Sequence, residues 1–399
     1  MKILLIGEYS NVHWTLAEGL RALGHEVTVV SDGDGWKNYP RDINLKRGPL
    51  NSKLSTLNYL RRLACVFHRL RGYDVVQIIN PVFLELKGER IWPFYDFLRR
   101  RNGKVFLGAF GIDYYWVKVG MDCKTFRYSD FNFGSQLRDY PFMHTMINDW
   151  LNGPKGKWNQ LVAKDCDGII TGLYEYEMCY RPFFPSKTRY IPFPINLSSI
   201  TPTSTLNHKP STLNPPLGAM RRFTLEEPST INPQPSTHTP SPLNFFIGIQ
   251  RSRSSYKGTD IMLAALQRLK ADYPDRINII KAEDVPYAQY QEMMNNSHVL
   301  LDQLYSYTPG MNGLLAMAKG LILVGGGEPE HYELLGEHEL HPIINVQPNE
   351  EDVYHQIATR LLSGQEDIRQ LQLDSIEYIR RHHDHIKVAR QYEAFYMAS

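Results

Sequence analysis

Apolar residues fall along this chain in two alternating rhythms. KILLIG (2–7), EVTVVS (26–31), DVVQII (74–79), KVFLGAF (104–110) and DGIITG (167–172) are dense apolar runs, and the segments between them space their apolar residues three or four apart, as from Trp14 to Leu23. Dense runs suit strands covered on both faces, and the wider spacing lays one apolar stripe along a helix. Strand and helix in strict alternation predict a parallel, doubly wound α/β sheet.

The rhythm breaks after residue 200. Residues 201–243 carry PSTLNP, PSTINPQPST and PSPLN, a degenerate repeat rich in Pro, Ser, Thr and Asn. Such a composition buries too little apolar surface to offset chain entropy, so disorder is expected there. Alternation resumes with NFFIGI (244–249), a helix near 258–270, INIIKA (277–282), a helix near 286–296, HVLLDQL (298–304) and LILV (321–324). The expected organisation is a first Rossmann-like domain over 1–196, an insertion over 197–243 and a second Rossmann-like domain over 244–380. A C-terminal helix over 381–399 is a candidate to cross back to the first domain. Two such sheets face each other across a cleft, and ligands of such sheets sit at the carboxyl ends of the strands.

Composition narrows the partners. The 399 residues hold 44 Lys and Arg against 42 Asp and Glu, so no global charge argues for nucleic acid. Four cysteines, Cys65, Cys123, Cys166 and Cys179, are widely spaced and read as free thiols of a reducing, cytoplasmic compartment. The N-terminal run reads as a first strand, and no stretch approaches the ~18 uninterrupted apolar residues of a membrane span. YLRRLACVFHRLRGYD (59–74) reads as an amphipathic helix whose Arg61, Arg62, Arg69 and Arg71 could meet anionic lipid at the inner face of a membrane, and FLRRRNGK (97–104) adds further cations.

Candidate chemistry gathers after the strands. The first turn, GEYSNVHW, holds one Gly and so lacks the glycine spacing of a dinucleotide site, but Glu8, Tyr9 and His13 fall where an acceptor-side cleft would be, with His13 a candidate base. GIQRSRSSYKGTD (248–260) puts Arg251, Arg253 and Lys257 on one loop closed by Gly258, cations suited to a diphosphate. SYTPGMNGLLAMAKG (306–320) runs turn residues into a helix N-terminus, where the amides around Gly310, Met311 and Asn312 attract anions. GGGEPE (325–330) offers close backbone approach at Gly326 and a hydroxyl acceptor at Glu330. Together these loops describe a nucleotide-sugar pocket. SDGDG, DCD and RHHDHIK have the wrong context for metal binding, and no GxSxG, Walker A or HExxH sequence occurs.

KILLIGEY with LRALGHEVTVV, FGIDYYW, RYIPFPIN, the Arg/Lys-Gly loop, LLAMAKG and GGEPE together resemble the group-one family of retaining glycosyltransferases of GT-B fold. The resemblance covers most of the chain. It implies that the first domain takes a glycan or lipid-linked acceptor and the second a nucleotide diphosphate sugar. No metal and no cofactor beyond the donor are implied. Arg251 or Arg253, with Lys257, would hold the diphosphate, the Gly310 and Met311 amides would cap it, and Asp113 would lie near the reacting sugar. One departure stands out: the family's two Glu residues eight positions apart match Tyr307 and Leu315 here, which leaves ribose recognition without its usual acid. The rivals are a nucleotide-sugar epimerase or hydrolase, and a catalytically degenerate chain that binds nucleotide or glycan.

Overall fold

A computed structural model describes residues 1–47, 53–207, 241–364 and 366–399. In chain order the first half contains β1 (Lys2–Ile6), β2 (Glu26–Ser31), β3 (Ile43–Asn44), β4 (Val75–Ile78), β5 (Lys104–Ala109), β6 (Asn132–Phe133), β7 (Gln136–Leu137), β8 (Gly168–Thr171) and β9 (Thr188–Tyr190). Seven of them form one parallel sheet ordered β3-β2-β1-β4-β5-β8-β9, while β6 and β7 make a separate hairpin. The second half contains β10 (Leu243–Ile249), β11 (Ile277–Glu283), β12 (Val299–Leu301), β13 (Ile322–Gly325) and β14 (Ile344–Asn345), a parallel sheet ordered β11-β10-β12-β13-β14. The doubly wound α/β architecture read from the apolar rhythm is the one observed.

The dense runs explain themselves in the packing. Ile3, Leu4 and Leu5 of β1 are fully buried although their side chains alternate between faces, so helices cover both sides of the sheet. Each such side chain contributes roughly 1.5–3 kcal/mol. In both sheets the strand order reverses beside the first strand, between β1 and β4 and between β10 and β12, which opens a crevice beyond the carboxyl ends.

The chain passes between the halves twice. The Ile195 amide donates to the His383 carbonyl (2.6 Å) and the His385 amide returns to the Ile195 carbonyl (3.0 Å). The last helix, His385–Ala398, then lies on the helix Val12–Ala22 of the first half. A methyl group at Gly19 would stand 2.3 Å from the His385 carbonyl oxygen, so glycine sets that approach. The Tyr396 hydroxyl donates to Gln77 (2.5 Å), and His25 meets Glu393 at 2.8 Å.

Two expectations need correction. Disorder was expected from residue 201, but 201–207 are ordered. Thr203 is fully buried, its amide donating to the Lys319 carbonyl (2.7 Å) and its hydroxyl to the Asn295 carbonyl (2.8 Å). Those carbonyls end the helices Met311–Ala318 and Tyr287–Asn295 and need a donor, which a polar segment can supply without an apolar face. The rest of the insertion, 208–240, lies outside the described residues. Part of the second cationic stretch is also taken up within the fold, while Arg100 and Arg101 stay exposed. Arg99 pairs with Asp165 and Asp167, Arg100 with Asp96, and Lys104 donates to the carbonyls of Tyr396 and Met397. Arg61, Arg62, Arg69 and Arg71 remain exposed, beside Leu57 and Leu60. All four cysteines are unpaired, and no helix among the described residues is long and apolar enough to cross a membrane.

Candidate functional site

A cavity of about 1270 Å³ lies between the carboxyl edges of the two sheets. On the second-sheet side, β10 ends at Ile249 and the chain turns through Arg251–Arg253 into the short helix Ser254–Lys257. Gly258 then takes a left-handed conformation (φ 72°), and a side chain there would meet Leu304 at 2.6 Å. Only glycine allows this reversal so close to the next loop. The Leu304 amide donates to the Lys257 carbonyl (2.9 Å), tying the basic loop to the segment after β12. Arg253 and Lys257 both line the cavity, and neither has an ion pair among the described residues.

Beside them stands the helix Met311–Ala318, entered through Gly310. Met311, Asn312 and Leu315 line the same cavity. Asn312 is held from two sides: its amide donates to Asp302 (2.9 Å) and its carbonyl accepts from the Tyr290 hydroxyl (3.1 Å). The basic loop and the helix entrance, distant in sequence, thus share one wall.

The opposite wall comes from the first sheet. Beyond β2 the cavity meets Asp32, Asp34, Trp36, Lys37 and Tyr39, none of which was singled out as a site residue. Tyr287 reaches across from the second half, its ring edge-on to Trp36 (6.0 Å, 74°) and to Tyr39 (6.0 Å, 79°). Aromatic residues from two distant segments meet here, and no local spacing could reveal that.

Several predicted site residues are placed elsewhere. Arg251 points outward and is paired with Glu283 at 2.6 Å, so of the two alternative arginines it is Arg253 that faces the cavity with Lys257. Gly326 does not admit a ligand. A methyl group there would lie 2.1 Å from the Ser306 carbonyl oxygen, because two protein loops already touch at that point. Glu330, expected to accept sugar hydroxyls, is ion-paired with Arg127 of the first half. Glu328 joins the same junction, accepting from Arg127 (2.7 Å) and from the Tyr128 hydroxyl. Tyr307 is buried in it too, stacked on Tyr174 (5.4 Å, 22°) and accepting the Arg127 amide at 2.8 Å. The hairpin β6–β7 and its flanks therefore close one part of the cleft, with Arg138 donating to the carbonyls of Ser255 and Tyr256.

Asp113, expected near the reacting sugar, is fully buried as the N-cap of the helix Tyr114–Gly120. It accepts the Trp116 amide (2.9 Å) and the Tyr180 hydroxyl (2.6 Å), and burial pushes its carboxyl up to about 6. His13 is fully buried as well, with Nδ1 on the Gly7 carbonyl (2.8 Å) and Nε2 beside the Gln77 amide (3.0 Å). Desolvation lowers its pKa to about 3, so the ring is neutral and closed to a base role. Caps and buried polar bridges use the same residue types as catalytic sites, which is why these positions misled.

Glu8 and Tyr9 line a smaller cavity of about 190 Å³ that shares Asp32 with the main one. Glu8 is itself buried and accepts the first-turn amides of His13 (3.3 Å) and Trp14 (2.9 Å). Burial raises its pKa from 4.5 to about 8, outweighing those bonds. A raised carboxyl stabilises the fold fully below its unfolded value and loses that contribution as pH climbs through the folded value. Wild-type protein should lose Tm between about pH 5 and 8, and Glu8→Gln should flatten that slope; scanning calorimetry across the interval tests it, and parallel slopes would rule it out.

The fold is shared with solved glycosyltransferases. Sucrose-phosphate synthase from Thermosynechococcus elongatus aligns over 100% of both chains at 15% identity with a TM-score of 0.57. HepE of Anabaena, in complex with UDP and glucose, aligns over 100% of both chains at 12% identity and 0.56. The catalytic domain of starch synthase IV from Arabidopsis thaliana, bound to ADP and acarbose, aligns over 100% of this chain and 99% of that one at 9% identity and 0.56. The chain thus has the GT-B arrangement of two Rossmann-like sheets facing a cleft. No protein-family profile matches the sequence, and no curated protein matches it.

Proposed function

We propose that this protein transfers a sugar from a nucleotide diphosphate sugar to a hydroxyl acceptor, with retention at the anomeric carbon and without a metal. The observation that carries the reading is the wall on which unpaired Arg253 and Lys257 stand beside the helix entrance at Met311 and Asn312. When the bond between the anomeric carbon and the diphosphate oxygen breaks, negative charge grows on the leaving diphosphate. Two cations and nearby amides stabilise that charge more in the transition state than in the bound donor. They supply what a divalent ion supplies elsewhere, which is the basis for metal independence. Retention rests on the family resemblance of the sequence.

The test is a thermal-shift screen of nucleotide sugars and nucleoside diphosphates in the presence of a chelator, followed by product analysis with and without glycan acceptors. A ligand that binds the folded state alone raises Tm. Failure of every nucleotide to do so would refute the reading. Donor consumed without acceptor would point to a hydrolase or epimerase. A second reading, binding without transfer, is favoured by Tyr307 and Leu315: the first is buried in the junction between halves and the second offers no polar atom to a ribose.

The exposed Arg61, Arg62, Arg69 and Arg71 with Leu57 and Leu60 form the face on which we place contact with anionic lipid. Each such cation near the surface is worth ~1 kcal/mol. Replacing Arg61 and Arg62 by Ala should weaken sedimentation with phosphatidylserine vesicles roughly 30-fold. Equal sedimentation of both proteins would remove the membrane from the account.

A further inference from the structure

The two walls of the main cavity differ in charge. The second-sheet wall carries Arg253, Lys257 and Lys319 against Asp284 and Asp302. The first-sheet wall carries Glu18, Asp32 and Asp34 against Lys37 alone, and Lys37 is already bound to Asp34 at 2.7 Å. A diphosphate suits the former and is repelled by the latter. The cavity also exceeds the ~300–1,000 Å³ of a usual small-molecule site, leaving room for a second substrate beside a donor.

The loop bearing the first-sheet carboxylates is built to present one ring. Gly33, Asp34, Gly35 and Asn38 all have φ between 53° and 80°, and Asp34 and Asn38 are not glycines. Asp and Asn enter left-handed backbone more readily than other non-glycine residues, and local bonds then hold the turn. Those bonds are present. Asp32 accepts the amides of Asp34 (3.2 Å) and Gly35 (3.1 Å), Asp34 accepts the Ser10 amide (2.9 Å), and Arg41 grips Asn38 (3.0 Å) and the Tyr39 carbonyl (2.7 Å). The product of this constrained turn is Trp36, an indole 65% exposed at the cavity rim, with Tyr287 edge-on to it and Tyr39 edge-on to Tyr287. A large aromatic exposed at the rim of a cavity and held by a hydrogen-bonded turn leaves its apolar ring face open to a ligand.

We propose that Trp36, with Asp32 and Asp34 beside it, is the acceptor platform, and that it takes an uncharged glycosyl end of an acceptor. A pyranose fits this chemistry. Its apolar C–H face covers the indole, and its hydroxyls donate to the lone pairs the carboxylates have left. An acceptor presenting a diphosphate or carboxylate at this point meets Asp32 and Asp34 instead, with Glu18 on the same wall. This rests on the transfer reading and names the acceptor class for it; a lipid-linked acceptor remains compatible when its reacting end is a neutral sugar.

Saturation-transfer NMR on the full chain tests it, using maltose, cellobiose, lactose and N,N′-diacetylchitobiose, with farnesyl diphosphate as the anionic comparator and UDP or ADP added first to fill the cationic wall. At least one neutral disaccharide should receive saturation at its ring protons. Trp36→Ala should weaken that binding about tenfold, and Trp36→Phe should retain part of it. Trp36 is exposed, so Tm should hold in both variants. Binding of no disaccharide, undiminished binding to Trp36→Ala, or Trp36-dependent binding of farnesyl diphosphate would overturn the platform. Should every nucleotide of the thermal-shift screen fail to bind while a disaccharide still depends on Trp36, the transfer reading falls and the platform stands as a sugar site; nucleotide binding without any disaccharide has the opposite consequence.

Discussion

Lys257→Ala is expected to lower kcat by roughly 10²- to 10³-fold, the scale of losing one preorganised charge-stabilising donor. Three features make this the largest functional effect. Lys257 lines the cavity, it has no ion pair among the described residues, and its structural bond to Leu304 runs through its backbone carbonyl. The truncation therefore removes a free cation and leaves the loop's anchor in place, so Tm should change little while turnover collapses. KM for the donor should rise less than kcat falls, because the ammonium meets more charge as the diphosphate departs than in the ground state. Arg253→Ala should follow the same pattern, and Arg251→Ala should resemble wild type, since Arg251 is spent on Glu283. Steady-state kinetics with whichever donor raises Tm decides the matter. Turnover of Lys257→Ala equal to wild type would end the proposed role, and equal defects in Arg251→Ala and Arg253→Ala would contradict the geometry.

The contrast between these two arginines shows where sequence reasoning stops. The strands β1, β2, β4, β5, β8, β10, β12 and β13 were legible as apolar runs largely buried in the sheets, and the edge strand β11 as a shorter apolar run although Asn278 and Lys281 are exposed. β3, β9 and β14 were not. They have two or three residues, too short for any period, and exist because a sheet edge was available to pair with. The loops 250–258 and 308–312 were legible as anion sites, since glycine and turn residues ahead of a helix leave amides free. Which arginine faces inward depends on a single 3-10 turn over Arg251–Arg253, and no propensity resolves one residue of rotation. Asp113 and His13 follow strands, as site residues do, but tertiary packing turned one into a helix cap and the other into a buried bridge. Trp36 and Tyr287 are 251 positions apart in the chain, and their meeting is a property of the closed cleft.

Gly326→Ala is expected to give the largest structural effect at the site. Its φ is unremarkable, so the cost is not conformational. The added methyl would sit 2.1 Å from the Ser306 carbonyl oxygen and 3.1 Å from the Tyr307 carbonyl carbon, and backbone cannot swing aside as a side chain can. One loop has to move. Overpacking of this kind costs ~1–3 kcal/mol, which lowers Tm by roughly 2–4 °C per kcal/mol in a domain of this size. Neither loop can move alone. Ser306, Tyr307 and Thr308 are pinned by Glu175 of the first half, which accepts the Ser306 hydroxyl (2.9 Å) and the Tyr307 (2.7 Å) and Thr308 (3.2 Å) amides. On the other side, Glu328 and Glu330 are tied to Arg127. Displacement of either loop therefore loosens contacts between the two halves, and donor binding should weaken along with Tm although Gly326 touches no ligand. Gly310→Ala is the matched comparison. Its methyl would meet only the end of the Gln303 side chain at 2.9 Å, with φ at −74°, so Tm should be nearly unchanged. Differential scanning calorimetry of the pair, with UDP and without, measures both consequences. A Gly326→Ala protein that melts with wild type and keeps its nucleotide shift would show that the junction between these loops does not hold the cleft.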